Sequence, residues 1–367
     1  MAGIRYLDLI ADTEALANVT GQRALFRRLV NNAVAHIASR WNWPYLWTGS
    51  FFTTDDDYST GTVDVTIGST AVTGNSTVWT AAMVGRKIRV ASQRAYYTIA
   101  SRTSNTAITL DQPYQGATAT AQTYSLYQDE YLLRSDVDYP KLLRQIETGV
   151  PLLSLDISEF DLRYPAPETL GDPVIQTLIG RNVGTYTTGT ITISSGSRIM
   201  TGVSTAWTTA RGLSRGTKIQ VGSVVFTVNT ITNDTSLTVY ESAAATIAEG
   251  TSYTAIIDNL IVQVLDLPDA ARNIYYRFQR LPAVLDIDAD MPDLPDSIHP
   301  LILDRVLIYS WVHKGFEDRA EAAESRFEHN LAQAILKYGS ATPDRRQQRA
   351  SSDRLYPMFK QPNIINN

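Results

Sequence analysis

The fold of this chain is organised around residues 273–339, which read NIYYRFQRLPAVLDIDADMPDLPDSIHPLILDRVLIYSWVHKGFEDRAEAAESRFEHNLAQAILKYG. The first residues alternate bulky and polar side chains, a pattern typical of a half-buried strand. An acidic linker with prolines follows. Apolar residues then recur at helical spacing on both sides of Lys314-Gly315, until Gly339. The stretch therefore predicts a strand followed by a helical hairpin over 297–338.

A long helix is also predicted near the start of the chain, over residues 21–42. Its apolar residues recur at helical spacing from Leu25 to Trp41. The helix should stop before Pro44, because proline restricts the residue that precedes it. Its other face carries four arginines: Arg23, Arg27, Arg28 and Arg40. These arginines are predicted either to be solvated or to form an inter-subunit or lumen-facing surface.

Composition limits the classes of protein that this chain can belong to. It has 367 residues, 44% hydrophobic and 19% charged, which fits a globular protein of two or three domains. Its 32 basic and 37 acidic residues give a formal charge of −5, which argues against a surface adapted throughout to nucleic acid. The absence of cysteine excludes disulfides and thiolate metal sites. No signal peptide or membrane span is evident, so assembly in the cytoplasm without membrane contact is expected.

An internal repeat is the strongest signal in the sequence. Residues 61–82 align with residues 189–210, and eleven of the twenty-two positions are identical. The similarity continues through short alternating runs that are separated by turn residues. Such runs predict a small antiparallel sandwich or barrel in each copy. We refer to residues 61–126 as repeat 1 and to residues 189–256 as repeat 2.

Strands are predicted on both sides of each repeat, at 49–54, 129–134, 173–179 and 259–265. Without the repeats these strands would form two tight hairpins, so the repeats are interpreted as insertions into an older scaffold. The predicted fold class is α+β: a discontinuous helical-bundle core with β-hairpins that carries two inserted antiparallel β-sandwich or barrel domains. The predicted parts are a core at 1–60, 127–188 and 257–339, inserts at 61–126 and 189–256, and an extended docking tail at 340–367.

No catalytic or cofactor-binding pattern emerges. The histidines lack metal-ligand spacing, and the sequence has no phosphate-binding glycine loop, dinucleotide fingerprint or nucleophile elbow. Asp286, Asp288 and Asp290 resemble the start of a calcium loop, but Met291 stands where that loop needs glycine. The chain is therefore predicted not to be an enzyme and to need no metal or cofactor.

The order of weak motifs outside the repeats resembles phage head-to-tail adaptor proteins, also called head-completion or connector-adaptor proteins. These motifs are the first helix with its ending Trp41-Asn42-Trp43-Pro44, the paired aromatics at 275–276, the acidic stretch with its prolines, and the closing helices. The resemblance implies a structural protein of the virion neck or connector, with two inserted Ig-like repeats, assembled in the host cytoplasm. It would form a dodecameric ring with its own copies, bind the portal and the tail, tail-terminator or nozzle proteins, and let viral DNA pass non-specifically through the lumen.

The same resemblance assigns the polar C-terminal tail to portal docking. Its basic and aromatic residues would grip the portal: Arg345, Arg346, Arg349, Tyr356, Pro357, Met358 and Phe359. Composition alone is equally compatible with an untethered terminus.

Two other classes of function stay open. In the first, the chain is a tail-fibre or receptor-binding protein whose repeats bind host glycan, for instance through Tyr96, Tyr97 or Tyr114. Its helices would then trimerise, but they lack sustained heptads. In the second, the chain binds nucleic acid through the arginines of the first helix and of the tail. The acidic net charge disfavours this second alternative.

Overall fold

The computed structural model describes residues 5–18, 21–91, 93, 95–164 and 169–339. The predicted docking tail and all of its proposed portal-binding residues lie outside these ranges. Five α-helices are described: α1 (Tyr6–Leu16), α2 (Arg23–Ser39), α3 (Ile157–Arg163), α4 (His299–His313) and α5 (Glu317–Gly339). Among the described helices, none has the length and apolar character needed to cross a membrane.

The strands are more numerous than the helices and mostly short. In chain order they are β1 (Trp47–Thr53), β2 (Thr62–Val65), β3 (Ala71–Asn75), β4 (Lys87–Val90), β5 (Tyr97–Ser104), β6 (Ala107–Leu110), β7 (Ala119–Gln122), β8 (Tyr124–Tyr127), β9 (Glu130–Leu132), β10 (Val137–Gln145), β11 (Leu153–Ser154), β12 (Leu170–Gly171), β13 (Ile175–Tyr186), β14 (Thr190–Ile193), β15 (Ile199–Val203), β16 (Lys218–Val221), β17 (Val224–Asn233), β18 (Ser236–Val239), β19 (Ile247–Thr251), β20 (Thr254–Leu265), β21 (Leu267–Pro268) and β22 (Asn273–Arg280).

The predicted fold class, α+β on a discontinuous helical-bundle core, is wrong. Of the described residues, 38% lie in strands and 25% in helices, so the molecule is mostly β. The long helices α1, α2, α4 and α5 share one hydrophobic cluster, and the other clusters are built on strands. A helical period is conspicuous over the 17 residues of α2, whereas a four-residue strand such as β2 buries only two side chains. The helices have the clearer sequence pattern, but the many short strands together contain more residues.

The helices lie at the two ends of the chain and pack together in space. On α2, the buried residues Phe26, Val30, Ala33 and Ile37 follow the helical period and pack against α1, α4 and α5. The indole Nε1 of Trp43 donates to the Ile37 carbonyl at 2.8 Å, which satisfies one of the free carbonyls at the end of α2. The N- and C-terminal parts of the chain thus form one helical layer.

Strands from three distant parts of the chain form one antiparallel sheet in the order β1-β22-β10, which we call the central sheet. β1 precedes repeat 1, β10 lies between the repeats, and β22 follows repeat 2. Phe52 lies opposite Ile274, and Leu143 lies opposite Tyr276. These side chains pack with Val262 of β20, so the central sheet covers the sheet that contains β20 and β9.

The four strands predicted beside the repeats are confirmed, but one of their two pairings is wrong. β13 and β20 form the predicted antiparallel pair around repeat 2. β1 and β9 do not form the other hairpin: β1 pairs with β22, and β9 pairs with β20. The buried residues Ile274, Tyr276 and Phe278 of β22 account for this result, because they give β1 and β10 a common apolar face to extend.

The two repeats have the same strand order. Repeat 1 forms the sheet β7-β2-β3-β6-β5-β4-β8, and repeat 2 forms β19-β14-β15-β18-β17-β16-β20. β20 is longer than its counterpart β8 and runs on into pairing with β13 and β9. It therefore crosses the predicted boundary at residue 256, and repeat 2 shares a continuous sheet with the segments around it.

One buried arrangement explains why Gly74 and Trp79 of repeat 1 recur as Gly202 and Trp207 in repeat 2. The Trp79 indole donates to the Tyr124 hydroxyl at 3.1 Å in repeat 1, and Trp207 donates to Tyr253 at 2.8 Å in repeat 2. Each of the four side chains is nearly or completely buried. Gly74 is needed beside the first indole, since a Cβ there would lie 2.8 Å from the ring carbon Cη2 of Trp79. Each repeat thus closes its own core on a Trp-Tyr pair.

Candidate interaction surfaces

Two of the four arginines on α2 that were predicted either to be solvated or to form an interface contact the acidic linker. The Arg27 guanidinium lies 2.5 Å from Asp288 Oδ1 and donates to the Asp286 carbonyl at 2.9 Å. Arg23 lies 3.5 Å from the other oxygen of the Asp288 carboxylate. These contacts join residues more than 250 positions apart, so their main effect is to hold the linker against α2.

The other two arginines differ from each other. Arg40 contacts both carboxylate oxygens of Glu328 on α5, each at 2.7 Å. Arg28 is exposed and lines a groove between α2 and α4, together with Leu25, Leu29 and His313. The inter-subunit or lumen-facing role of the four arginines stays a prediction. Arg28 is the one of the four that takes part in none of the ion pairs described above.

The acidic linker also holds repeat 2. Asp290 accepts from Arg198 of repeat 2 at 2.8 Å, and Asp286 accepts from the backbone and hydroxyl of Ser242 at 2.7 and 2.8 Å. The Tyr6 amide of α1 donates to the Asp290 carbonyl at 2.7 Å. The carboxylates that resemble the start of a calcium loop are therefore used in ion pairs and hydrogen bonds. Within the described residues, no group of three or more acidic or histidine side chains is arranged to hold a metal ion.

Repeat 1 is attached to the scaffold by buried charges, at a contact that we call junction 1. Arg86 lies 2.6 Å from Asp55, just before the repeat, and Lys87 lies 2.9 Å from Asp129 and 2.6 Å from Glu130, just after it. Burial alone would lower the pKa of Lys87, but the two carboxylates outweigh burial and raise that pKa above its usual value. Lys87 therefore stays charged in a nearly buried position.

Repeat 2 is attached mainly by hydroxyl and amide groups, at a contact that we call junction 2. The Ser214 hydroxyl accepts from the Ser135 amide at 2.9 Å, and the Ser135 hydroxyl lies 3.0 Å from that of Thr217. The Asn259 amide donates to the Leu133 carbonyl at 2.7 Å. Close packing is part of this junction, because Gly216, with φ +92°, has no room for a side chain next to the 134–136 segment.

One carboxylate also lies in junction 2. Asp136 is 2.5 Å from Arg134 and 3.7 Å from Arg215. Burial raises the pKa of Asp136 above its usual value, and the two arginines only partly offset that rise.

A polar cleft separates the two repeats. It has a volume of about 320 Å³ and is lined by Lys87, Tyr96, Asp129, Glu130 and Arg211, among others. Tyr96 is 50% exposed and lies under the Lys87 ammonium, whose nitrogen is 4.7 Å from the ring centre.

The other two tyrosines considered for glycan binding are not accessible. Tyr97 and Tyr114 are buried in the core of repeat 1, with ring centres 5.5 Å apart. Of the three candidates, only Tyr96 can meet a ligand from solvent.

Sequence reasoning missed one surface, which lies on the central sheet. β1 was predicted as a strand, but no role was given to the face that carries Trp47 and Phe51. The signal was present, because Phe51 and Phe52 are adjacent and a strand sends successive side chains to opposite faces. Phe52 packs in the core and Phe51 is 60% exposed.

Comparisons with known proteins identify no family for this chain. No family model matches the chain. A search of curated proteins finds no match either. Among solved structures, a phage phi92 endosialidase aligns at 15% identity with a TM-score of 0.16, over 62% of this chain and 31% of that one. This chain thus spans about a third of the endosialidase, and the likeness supports no statement about fold or function.

Proposed function

We propose that this chain is a structural protein of a phage virion, a head-to-tail adaptor that forms a ring between portal and tail. The observation that carries the proposal is the central sheet. β1, β10 and β22 come from before, between and after the repeats and meet in one sheet, which contacts the helical layer where Gln279 of β22 donates to the carbonyls of Ala38 and Trp41 at the end of α2. A single unit made of distant segments is what the resemblance to adaptor proteins requires of the scaffold, and the two repeats are additions that the family does not generally need.

The way the modules are attached fits a protein that must hold its modules in place within an assembly. Repeat 1 is held by ion pairs at both of its ends, and repeat 2 is held by a hydroxyl network and by the acidic linker. In a ring, modest contacts repeated in every subunit add up through multivalency. The tail residues from Arg345 to Phe359 would dock into the portal, and viral DNA would pass through the lumen without base-specific contacts.

The test is electron microscopy of the purified full-length protein, alone and mixed with its portal. We expect closed rings with rotational symmetry in averaged images. A protein that stays monomeric in both samples, at concentrations well above micromolar, would contradict the proposal.

A second candidate function rests on the exposed Tyr96. Beside the polar cleft between the repeats, this ring is placed to stack on a sugar of a host glycan, as a tail-fibre or receptor-binding protein would require. A glycan array probed with the full chain tests this alternative, with Tyr96→Ala as the variant and Leu162→Ala, at an exposed position of α3, as the control. Binding lost only in Tyr96→Ala would favour the alternative, and a blank array would remove its support.

A further inference from the structure

The central sheet has a second face that the core does not use. We call it the outer face. It consists of three rows of positions across the strands: Phe51, Tyr275 and Arg144; Gly49, Arg277 and Leu142; and Trp47, Gln279 and Tyr139. Gln279 is the buried member, because its side chain donates to the Ala38 and Trp41 carbonyls at the end of α2. Gly49 is required there, because a Cβ at that position would lie 2.1 Å from the Tyr275 hydroxyl. The Tyr275 ring can therefore lie across the sheet.

The outer face is rich in exposed apolar surface. Phe51, Tyr139 and Leu142 are 60%, 55% and 41% exposed. The Arg144 guanidinium lies 5.1 Å from the centre of the Tyr275 ring, and the Trp47 ring is similarly covered by the Lys141 ammonium at 5.3 Å. Large apolar side chains next to one another on a surface typically mark an interaction site, and aromatic residues and arginine are enriched at such sites.

The charge of this face selects the partner. Arg277 is exposed at its centre and forms no ion pair within the described part of the chain. β10 and the turn after it carry two exposed carboxylates, Asp138 and Glu147, and Glu147 already accepts from Asn273 at 2.9 Å. The cations Arg144 and Arg277 therefore dominate, and a matching surface must be apolar and acidic.

The same chain carries such a surface. Where α1 and α4 end and α5 begins, exposed apolar and acidic residues lie together, and we call this region the acidic tip: Asp12, Leu16, Val312, Phe316, Glu317, Asp318 and Glu321. Lys314 holds the region together, since its ammonium donates to the Ala17 carbonyl at 2.7 Å. Arg319 is drawn over the Phe316 ring, 5.4 Å from its centre.

The carboxylates of α5 differ in their cationic partners within the part of the chain that the structure describes. Farther along α5, Glu324 pairs with Arg305 and Glu328 pairs with Arg40, each at 2.7 Å. Glu317, Asp318 and Glu321 form no ion pair within the described residues. The contrast along one helix sets the acidic tip apart from an ordinary charged helix surface.

The outer face and the acidic tip lie at opposite ends of the helical layer. α5 begins at the tip, and at its other end the ring of Tyr338 meets edge-on, at 6.0 Å, that of Tyr45, which lies two residues before β1. α2 runs the same way: its first turns lie near His313 and Lys314, and the carbonyl of Ala38 near its end accepts from Gln279 of the central sheet. A helix rises about 1.5 Å per residue, so roughly 25–35 Å separates the two surfaces.

We propose that the outer face of the central sheet binds the acidic tip of a second copy of this chain. The inference rests on the proposed ring-forming function and specifies the contact between neighbours. Because the two surfaces differ and lie at opposite ends, the contact is head to tail, and such contacts build rings when the rotation closes. The chain's own tail is a poorer match for the outer face, since Arg345, Arg346 and Arg349 add positive charge to a positive surface.

Charge exchange in the full-length protein tests the contact. Arg277→Glu and Asp318→Arg each place like charges against each other, so we expect each to weaken self-association at least tenfold in analytical ultracentrifugation. The double variant Arg277→Glu/Asp318→Arg restores an attractive pair and should regain most of the lost association. Glu249→Lys, an exposed charge reversal on β19 of repeat 2, is the control and should associate as the wild type does.

Each result separates the contact from the ring. If both single variants form the same rings as the wild type, the proposed contact is wrong and the adaptor function is unaffected. Charge-sensitive association that never closes into rings would support the contact and contradict the adaptor function. A monomeric wild type would overturn both. If Arg277→Glu instead abolishes salt-sensitive binding of a single-stranded oligonucleotide and leaves assembly unchanged, the outer face is a nucleic-acid surface and the proposal is wrong.

Discussion

Repeat 1 and repeat 2 have the same strand order and the same Trp-Tyr pair, yet the scaffold holds them by different chemistry. Junction 1 depends on Arg86 and Lys87, and the equivalent positions of repeat 2 are Thr217 and Lys218. Thr217 belongs to the hydroxyl network of junction 2, whereas Lys218 donates to Thr227 within its own repeat at 2.7 Å.

The difference shows which part of a duplicated module is constrained. Positions that close the core, such as Gly74 and Gly202 beside the two indoles, are identical in the two copies. Positions that meet the scaffold differ, because each copy is attached to a different part of it. The fold of each module is therefore encoded within the module, and its attachment depends on its surroundings.

The largest expected effect tests whether the two cores are equivalent. Trp79→Ala and Trp207→Ala each remove a fully buried indole, and each should lower the free energy of unfolding of its repeat by about 3–5 kcal/mol. Calorimetry with circular dichroism on the full chain measures both. Val78→Ala, at an exposed neighbour, is the control and should stay within about 0.5 kcal/mol of the wild type. Costs that differ by more than about 2 kcal/mol would mean that the cores are not equivalent.

The next effect distinguishes the junctions. Lys87→Met leaves the buried Asp129 without its cation and should destabilise junction 1 by about 3 kcal/mol. Lys218→Met loses one hydrogen bond from an exposed side chain and should cost about 1 kcal/mol or less. Denaturant unfolding of the matched pair gives both values. Equal costs would show that junction 1 does not depend on its buried ion pair.

The dependence on pH should separate the junctions further. The raised pKa of Asp136 means that its contribution to the stability of junction 2 is fully present below the unfolded value, about 3.9, and is lost as pH rises through the folded pKa. Relative to Asp136→Asn, the wild type should therefore lose stability from about pH 4 upward, by at most about 1.4 kcal/mol per pH unit.

Junction 1 provides the contrast. The pKa of Lys87 is raised, so its contribution is present below the unfolded value of about 10.4 and is lost only at higher pH. Free energies of unfolding of the wild type and of Asp136→Asn, measured between pH 3.5 and 8, test the loss of stability expected at junction 2. A difference that stays flat or grows in favour of the wild type would contradict the raised pKa of the buried Asp136 carboxyl.

The smallest effect concerns the acidic linker, which repeat 2 contacts through Arg198. The equivalent residue of repeat 1 is Thr70, so Thr70→Ala is the matched control. Arg198→Ala removes a partly exposed ion pair with Asp290 and should cost about 1 kcal/mol. The amides of Asp286 and Ile287 donate to Asp290, and we expect their hydrogen exchange to become about fivefold faster. Unchanged exchange would show that Arg198 does not support the linker.

Much of the local structure was predictable, but the fold class was not. The repeat, the flanking strands and the long helices follow from periods of two or 3.6 residues and from the aligned glycines and tryptophans. The dominance of strands was missed, because each short strand buries few residues. The partners of β1 were also missed, since a pattern along one strand does not show which other strand will cover it.

The roles of charged residues were the least predictable part. Arg27 and Asp288 are far apart in the sequence, and nothing near either residue indicates that they meet. The adjacent Phe51 and Phe52 indicate that one of the two lies outside the core, but the sequence does not show which face of the sheet the core covers. Surfaces of this kind emerge only once the packing is known.

The proposed adaptor function is tested most directly by cryo-electron microscopy of the intact phage particles in which, on that proposal, this chain is found. The account predicts a ring of this chain directly beneath the portal, with the central sheet and helical layer around the lumen and the repeats outside. Density for the chain at the tail tip or in the fibres, with another protein under the portal, would contradict it.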